Sequence, residues 1–88
     1  MLNLFLEMRK MFVVIADHKV VLVTDVDDVA WESSQEMMYQ DEYVEPQCEH
    51  AYVEELYETD FDENGLYTTT EGDVITLSDY QNAEHFMR

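Results

Sequence analysis

Regularly spaced carboxylates are the groups in this sequence with the most distinctive chemistry. Asp28, Glu32 and Glu36 recur every four residues within a predicted helix, so they line one helix face at intervals of roughly 6 Å along the axis. Like charges at this spacing destabilise a helix by about 0.2–0.5 kcal/mol per pair. A row of carboxylates without a compensating cation attracts positively charged partners, so the pattern indicates an electrostatic binding surface.

A second row with the same spacing lies in a second predicted helix, and an aromatic residue sits beside the first row. The aromatic residue is Trp31, a type that is enriched in interface hot spots and for which packing in the core is the alternative. The residues predicted to contact a partner are Asp25, Asp28, Trp31, Glu32, Glu36, Glu54, Glu58 and Asp62.

The distribution of charge narrows the class of partner. The chain has 21 Asp and Glu against 4 Lys and Arg, a formal net charge of −17. Between Val20 and Met87 there is no Lys or Arg. Carboxylates repel phosphates, so direct binding to nucleic acid is not expected, and a basic protein is the predicted partner. The alternative is a solvated acidic face that only keeps the protein soluble.

The size of this charge suggests mimicry of nucleic acid. A compact domain of this length is roughly 30 Å across, and a B-DNA segment of that length carries roughly 18 phosphate charges. The leading hypothesis is an inhibitor, of the kind phages direct against restriction or CRISPR enzymes, that blocks the basic groove of a nucleic-acid-binding protein. An antitoxin or immunity protein that neutralises a basic toxin would use the same kind of surface.

A calcium loop is the alternative in a different class. The segment from Asp60 to Glu71 resembles the twelve-residue EF-hand loop at every position that its pattern specifies. That resemblance implies side-chain oxygens from Asp60, Asp62 and Asn64, both carboxylate oxygens of Glu71, and a sharp turn at Gly65. Against it, the residues after Leu66 favour a strand, whereas an EF-hand requires a helix there. A simple Asn-Gly turn is the competing interpretation.

Other chemistry is not expected. The three histidines fall in different predicted elements, which argues against a zinc site, and no carboxylate pair or Cys-His pair stands out as catalytic. We therefore predict that the protein is not an enzyme and that it needs no cofactor unless calcium binds. A single cysteine, Cys48, and the lack of a signal-peptide pattern favour the cytoplasm (of the host cell, if phage-encoded), with no membrane association, as a monomer or homodimer.

The elements that must position these residues indicate one α+β domain over residues 1–88. Apolar β-branched runs predict a hairpin from Met11–Ala16 and Val20–Thr24, with both sheet faces at least partly covered, and a second hairpin from Leu66–Thr70 and Val74–Leu77. Residues 1–10 are uncertain, either an additional edge strand or a flexible segment. Helices are predicted from Asp27 to about Gln40, from Gln47 to about Thr59, and from Asp79 to Met87. The expected architecture is a small antiparallel sheet built from two hairpins, with two or three helices packed on one face.

Overall fold

The computed structural model describes residues 9–88, which form an α+β fold with a four-stranded sheet, a two-stranded sheet and two α-helices. The predicted fold class is therefore confirmed. Residues 1–10 were predicted as an edge strand or a flexible segment, and residues 1–8 of that stretch lie outside the described residues. In chain order the elements are β1 (Lys10–Ala16), β2 (Lys19–Thr24), α1 (Asp27–Met38), β3 (Ala51–Tyr57), a 3-10 turn (Glu58–Asp60), β4 (Leu66–Thr68), β5 (Val74–Thr76), α2 (Leu77–Asn82) and β6 (Glu84–Phe86).

The first predicted hairpin is confirmed and forms the centre of the main sheet, whose strand order is β3-β1-β2-β6. Asp17 and His18 make its two-residue turn, with φ of 48° and 73°, the left-handed backbone that hairpin turns of this length use. The register shifts between Val14 and Ile15, which produces a bulge in β1–β2 pairing. The Asp17 carboxylate accepts hydrogen bonds from the backbone N–H groups of Glu49 and His50, at 3.1 Å each, and so fixes the entry to β3.

The prediction of a second helix, from Gln47 to about Thr59, is wrong. Ala51–Tyr57 is instead strand β3, which pairs antiparallel with β1 along its whole length. The spacing that suggested a helix, with Tyr52 and Leu56 four residues apart, also places both side chains on one face of a strand. Both residues pack in the same apolar cluster. The neighbouring Val53 packs on the opposite face of the sheet, so the strand is apolar on both sides.

The continuous apolar runs of β1 and β2 are explained by burial on both faces, as predicted. On one face of β1, Val14 packs with Leu22 and with Ala30 of α1. On the other face, a cluster of buried residues lies under the second hairpin and α2: Met11, Val13, Ile15, Val23, Leu56, Ile75 and Tyr80. The two helices therefore cover opposite faces of the sheet, whereas the sequence predicted that they share one.

The second hairpin forms where it was predicted, as β4 and β5, but it remains a separate two-stranded sheet. Gly65 precedes it with φ of 73°, and its carbonyl accepts a 2.7 Å bond from the Leu77 N–H. This hairpin lies across the main sheet as a cover, because Ile75 and Tyr67 pack on the cluster beneath it. The hairpin therefore buries this face of the sheet, a role that was predicted for the helix over residues 47–59.

The boundaries of both helices differ from those predicted. Helix α1 ends at Met38, where about Gln40 was predicted, and its N-cap residue is Val26, which makes no side-chain cap. Helix α2 ends at Asn82, where Met87 was predicted, and its N-cap Thr76 accepts a 3.0 Å bond from the Asp79 N–H. The segment predicted as the rest of that helix is β6, which pairs parallel with β2. Within the described chain, no helix is long and apolar enough to cross a membrane.

Candidate functional site: an acidic ridge and groove on α1

Helix α1 holds the first predicted row of carboxylates on its outer face. Ala30 and Ser34 are buried against the sheet, and these small side chains allow a close approach of helix to sheet. Asp28, Glu32 and Glu36 are all exposed, as the fourfold spacing predicted. We call these three residues the acidic ridge. Because α1 is anchored through its buried face, the ridge carboxylates are held on a fixed scaffold.

Two cations of the described chain pair with acids outside the acidic ridge. Arg9 pairs with Asp25 at 3.3 Å, and Lys10 pairs with Glu55 at 3.5 Å. Across residues 9–88, no Lys, Arg or His forms an ion pair with Asp28, Glu32 or Glu36. Residues 9–88 therefore supply no ion pair that would compensate the repulsion within the row.

Trp31 lies on the exposed side of α1, next to the acidic ridge. Its side chain is 59% exposed, so the alternative of core packing for Trp31 is wrong. An exposed Trp on a rigid helix offers a large apolar area that a partner can cover at little entropic cost. The ridge and Trp31 together combine steering charge with a contact that can give affinity.

Asp25 does not belong with the ridge. Its side chain is 15% exposed, and its carboxylate accepts bonds from the Arg9 guanidinium at 3.3 Å and the Arg88 N–H at 3.0 Å. The negative charge of Asp25 is thus matched within the chain. The prediction that Asp25 contacts a partner is corrected, since this carboxylate ties the C-terminus to the start of α1.

A groove runs between α1 and the edge strand β6, with a volume of about 310 Å³. Its apolar surface comes from Leu22, half-buried Val29 and the ring of Phe86, which is 50% exposed. Carboxylates from both sides join them, since Glu32 and Glu36 on α1 and Glu84 on β6 also line it, together with Ser33. No Lys or Arg contributes to this lining. We call it the α1–β6 groove.

The second predicted row of carboxylates does not form a surface. Glu54 is 2% exposed on β3, facing the underside of the second hairpin. Its carboxylate accepts bonds from the Tyr67 hydroxyl at 2.8 Å, the Thr70 hydroxyl at 2.8 Å and the Thr70 N–H at 3.1 Å. Glu54 is therefore a structural acid, and its prediction as a partner contact is wrong.

Glu58 and Asp62, the other two members of that row, are exposed on the hairpin side of the sheet. They line a shallow pocket with Phe61 and Leu77, on the side that packs with the second hairpin. Helix α1 packs against the opposite face of the sheet. The structure thus divides the predicted partner contacts between two faces, and only Asp28, Trp31, Glu32 and Glu36 remain together.

The tip of the second hairpin is held to the main sheet by hydrogen bonds. Tyr52 donates its hydroxyl to Asp73, and the His18 ring also bonds to Asp73. Nearby, the His50 ring bonds to Glu71 at 2.7 Å and stacks on Tyr52. Burial, followed by the bond to Asp73, raises the pKa of Tyr52. These hydrogen bonds hold the tip of the second hairpin against the main sheet.

The His18–Asp73 contact predicts a pH dependence of stability. The bond to Asp73 raises the pKa of His18 above its ordinary value, and bonds from Tyr52 and then His18 lower the pKa of Asp73. A raised His pKa stabilises the fold below about pH 6.5, and a lowered Asp pKa stabilises it above about pH 4. The contact should therefore contribute most between those values and weaken as the pH rises through the folded-state pKa of His18.

This dependence can be measured by comparing the wild-type protein with His18→Asn, since Asn tolerates the positive φ of this turn. The difference in melting temperature between the two should be largest near pH 5 and should shrink as the pH rises through the folded-state pKa of His18. A difference that stays constant from pH 5 to pH 9 would show that the His18 charge plays no part.

The predicted calcium loop is not formed. The Asp60 carboxylate accepts a 2.8 Å bond from the Tyr57 N–H, and Asp62 accepts bonds from the N–H groups of Asn64 and Leu66, at 2.8 and 3.0 Å. Glu71 lies beyond the far end of β4, bonded to His50. Since strand β4 separates Glu71 from the other predicted ligands, including Asn64, the structure contradicts the calcium hypothesis.

Metal ligands do not converge elsewhere in the part of the chain that the structure describes. Within residues 9–88, no three His, Cys, Asp or Glu side chains are grouped so that they could hold a metal ion. Cys48 is buried beside Ala16 and Ala51, and burial raises the pKa of its thiol. A thiol in that setting is a packing group with low nucleophilicity.

Of the residues that line the α1–β6 groove, only Glu32 and Glu36 were predicted as partner contacts, and Glu84 and Phe86 are among those that were missed. They fell inside the helix predicted over Asp79–Met87. The signal that could have found them is the alternation along the strand, which places Glu84 and Phe86 on one face. Three residues are too few for this alternation to outweigh a helical interpretation.

Comparisons of this chain with protein-family models, with curated proteins and with solved structures found no match.

Proposed function

We propose that this protein is a non-enzymatic inhibitor that presents the acidic ridge of α1 to the basic groove of a nucleic-acid-binding protein. The observation that carries the proposal is the exposure of Asp28, Glu32 and Glu36 without any ion pair from residues 9–88. Such a row costs stability through self-repulsion. A partner that supplies the missing cations would recover this free energy on binding.

The geometry of the ridge supports mimicry of a phosphate backbone. Its carboxylates recur at roughly 6 Å along a straight helix, and α1 is anchored to the sheet through buried Ala30 and Ser34. A rigid array loses little conformational entropy when it binds. Complementary charge also steers association, so the protein can compete with nucleic acid for a basic groove. We place it with phage-type inhibitors of host nucleic-acid enzymes, acting in the host cytoplasm.

Trp31 gives the proposed interface an apolar contact. Charge pairs between exposed groups contribute only about 0–1 kcal/mol each, so a carboxylate row by itself favours fast but weak association. A Trp that is 59% exposed in the free protein can be covered in the complex, where residues of this type dominate affinity. The proposed contact surface is therefore Asp28, Trp31, Glu32 and Glu36.

Neutralising the ridge tests the proposal. The variant Asp28→Asn, Glu32→Gln, Glu36→Gln should capture its partner from a bacterial lysate about ten-fold less well than wild type, since three charge pairs are removed. The measurement is affinity capture at low salt with quantitative mass spectrometry. Added duplex DNA should release the captured protein, as should high salt, because the partner's phosphate-binding groove is the site occupied.

The matched control removes the same charge from the hairpin and α2 side, through Glu58→Gln, Glu63→Gln, Asp79→Asn. This control should retain capture. If both triple variants lose capture equally, net charge alone is responsible and the ridge has no special role. If the ridge variant captures as well as wild type, or DNA fails to release the partner, the proposed function is wrong. Thermal melting of each variant confirms that it is folded.

A further inference from the structure

The α1–β6 groove offers a more specific contact than the exposed ridge. Its floor is apolar, since Leu22 and Val29 form it and the ring of Phe86 stands at its side. The parallel register of β6 on β2 pairs Leu22 with Glu84, so a carboxylate stands directly beside the apolar floor. Glu32 and Glu36 reach the same groove from α1. A ligand here would meet negative charge at the rim and hydrocarbon beneath.

This combination fits an organic cation better than a metal ion. A divalent cation requires several oxygen ligands that converge on one point, and in the described chain no such group of acids exists. Here the carboxylates belong to two elements, with apolar side chains between them. A long basic side chain can lay its methylenes on Leu22 and Val29 while its charged end reaches the acids.

The exposed ring of Phe86 favours arginine over lysine. A guanidinium is planar and weakly hydrated, and it stacks on aromatic faces while donating to more than one carboxylate. The volume of about 310 Å³ is at the lower end of the range for small-ligand sites, which suits one side chain. We propose that the α1–β6 groove receives an arginine side chain of the basic partner, an inference that rests on the proposed function of the ridge.

Basic hexapeptides provide a direct probe that needs no identified partner. Hexa-arginine should bind the 88-residue chain about three-fold more tightly than hexa-lysine of equal charge, and neutral hexa-citrulline should not bind. Calorimetry at low salt measures the affinities. In methyl NMR spectra, hexa-arginine should shift the signals of Leu22 and Val29, while those of Ile75, buried on the opposite face of the sheet, remain in place.

Two pairs of variants locate the binding. Phe86→Leu should reduce the preference for arginine over lysine to nearly one-fold, whereas Val74→Leu, at an exposed apolar position on β5, should leave it unchanged. Glu84→Gln should weaken hexa-arginine binding about three-fold more than Glu63→Gln, which removes the same charge elsewhere.

The inference is overturned if the wild type binds the two basic peptides equally or binds neither, or if Glu84→Gln and Glu63→Gln have equal effects. Each of those results leaves the ridge test intact, because that test uses Asp28, Glu32 and Glu36 and a captured partner. Loss of capture in the ridge variant, together with equal peptide affinities, would keep the proposed function and remove the arginine site.

Discussion

Replacing Glu54 with alanine should lower the free energy of unfolding by about 2–4 kcal/mol, even though it removes one negative charge from a strongly acidic chain. General repulsion predicts the opposite sign, since fewer carboxylates should relieve the compact state. The local contacts decide the result. Glu54 is 2% exposed and is the shared acceptor for one edge of the second hairpin.

Three donors lose their partner in this variant. The hydroxyl of Tyr67 and the hydroxyl and N–H of Thr70 all bond to Glu54. Hydrogen bonds to a charged acceptor contribute about 1.5–3 kcal/mol each, and a buried donor without an acceptor costs about 1–3 kcal/mol. Because Thr70 is exposed, water can accept hydrogen bonds from its two donors, so the expected loss of about 2–4 kcal/mol is smaller than the sum for three bonds.

Chemical denaturation of Glu54→Ala and of Glu55→Ala measures this effect. Glu55 is the adjacent residue on β3, and it is exposed and paired only with Lys10 at the surface. Its replacement should change the unfolding free energy by less than about 1 kcal/mol. A Glu54 variant as stable as the Glu55 variant would show that the hairpin is not held through this carboxylate.

The double variant Glu54→Leu, Tyr67→Phe adds a further check on the same contact. Removing a hydrogen-bonded pair together avoids an unpaired buried group, so this variant should be more stable than Glu54→Ala. Burial and the bond to Glu54 also raise the pKa of Tyr67 to about 12. In Glu54→Ala, the ionisation of Tyr67 should therefore move to lower pH, which ultraviolet titration detects.

The parts of the fold that local patterns determine were predictable from sequence. The β-branched runs on either side of Asp17 and His18 predicted the first hairpin, and a helix was predicted over the residues that form α1. The exposure of Asp28, Glu32 and Glu36 followed from helical spacing alone. Those features depend on residues that are close in the chain, where propensity and period carry the information.

The parts that failed depend on contacts between distant segments. A repeat of four residues fits a helix and also one face of a strand, so Tyr52 and Leu56 could not distinguish β3 from a helix. Residues 51–57 form a strand because they pair with β1, and the residues near them in sequence do not encode that pairing. The same limit applies to Glu54, whose burial depends on a hairpin that follows it in sequence and folds over it.

The calcium pattern failed for a related reason. Its spacing is matched at every specified position, but metal binding requires the chain to curl so that the oxygens converge. Strand β4 extends through the middle of the segment, so Glu71 lies at the opposite end of that strand from the other predicted ligands. In a chain this rich in acids, a match in spacing has little value unless the predicted elements also allow the loop to close.

The carboxylates therefore divide into two groups with opposite consequences for stability. Glu54, Asp25 and Asp73 accept hydrogen bonds from other segments and hold the fold together. Within the part of the chain that the structure describes, the acidic ridge makes no such bond, and its like charges repel one another. Net charge does not distinguish the groups, which is why substitutions at Glu54 and at the ridge should separate stability from binding.

Replacing Ile75 with alanine should destabilise the protein by about 2–5 kcal/mol, the range for truncating a large apolar side chain in a core. Ile75 lies on β5 and is 2% exposed. It belongs to the cluster that includes Val13, Ile15 and Leu56 of the main sheet. The loss should be large because β4 and β5 share no strand pairing with the main sheet, so side-chain burial and the polar network are what hold the hairpin in place.

Val74→Ala is the matched control, since Val74 is the neighbouring residue on the same strand and is 59% exposed. Its truncation should change the unfolding free energy by no more than about 0.5 kcal/mol. Denaturant unfolding measures both variants, and amide hydrogen exchange should show faster opening of the second hairpin in Ile75→Ala than in Val74→Ala. Equal stability of the two variants would mean that this hairpin does not cover the sheet, and that both faces of β1 are not buried as described. In that case α1, which packs on the other face, would still hold the acidic ridge in place.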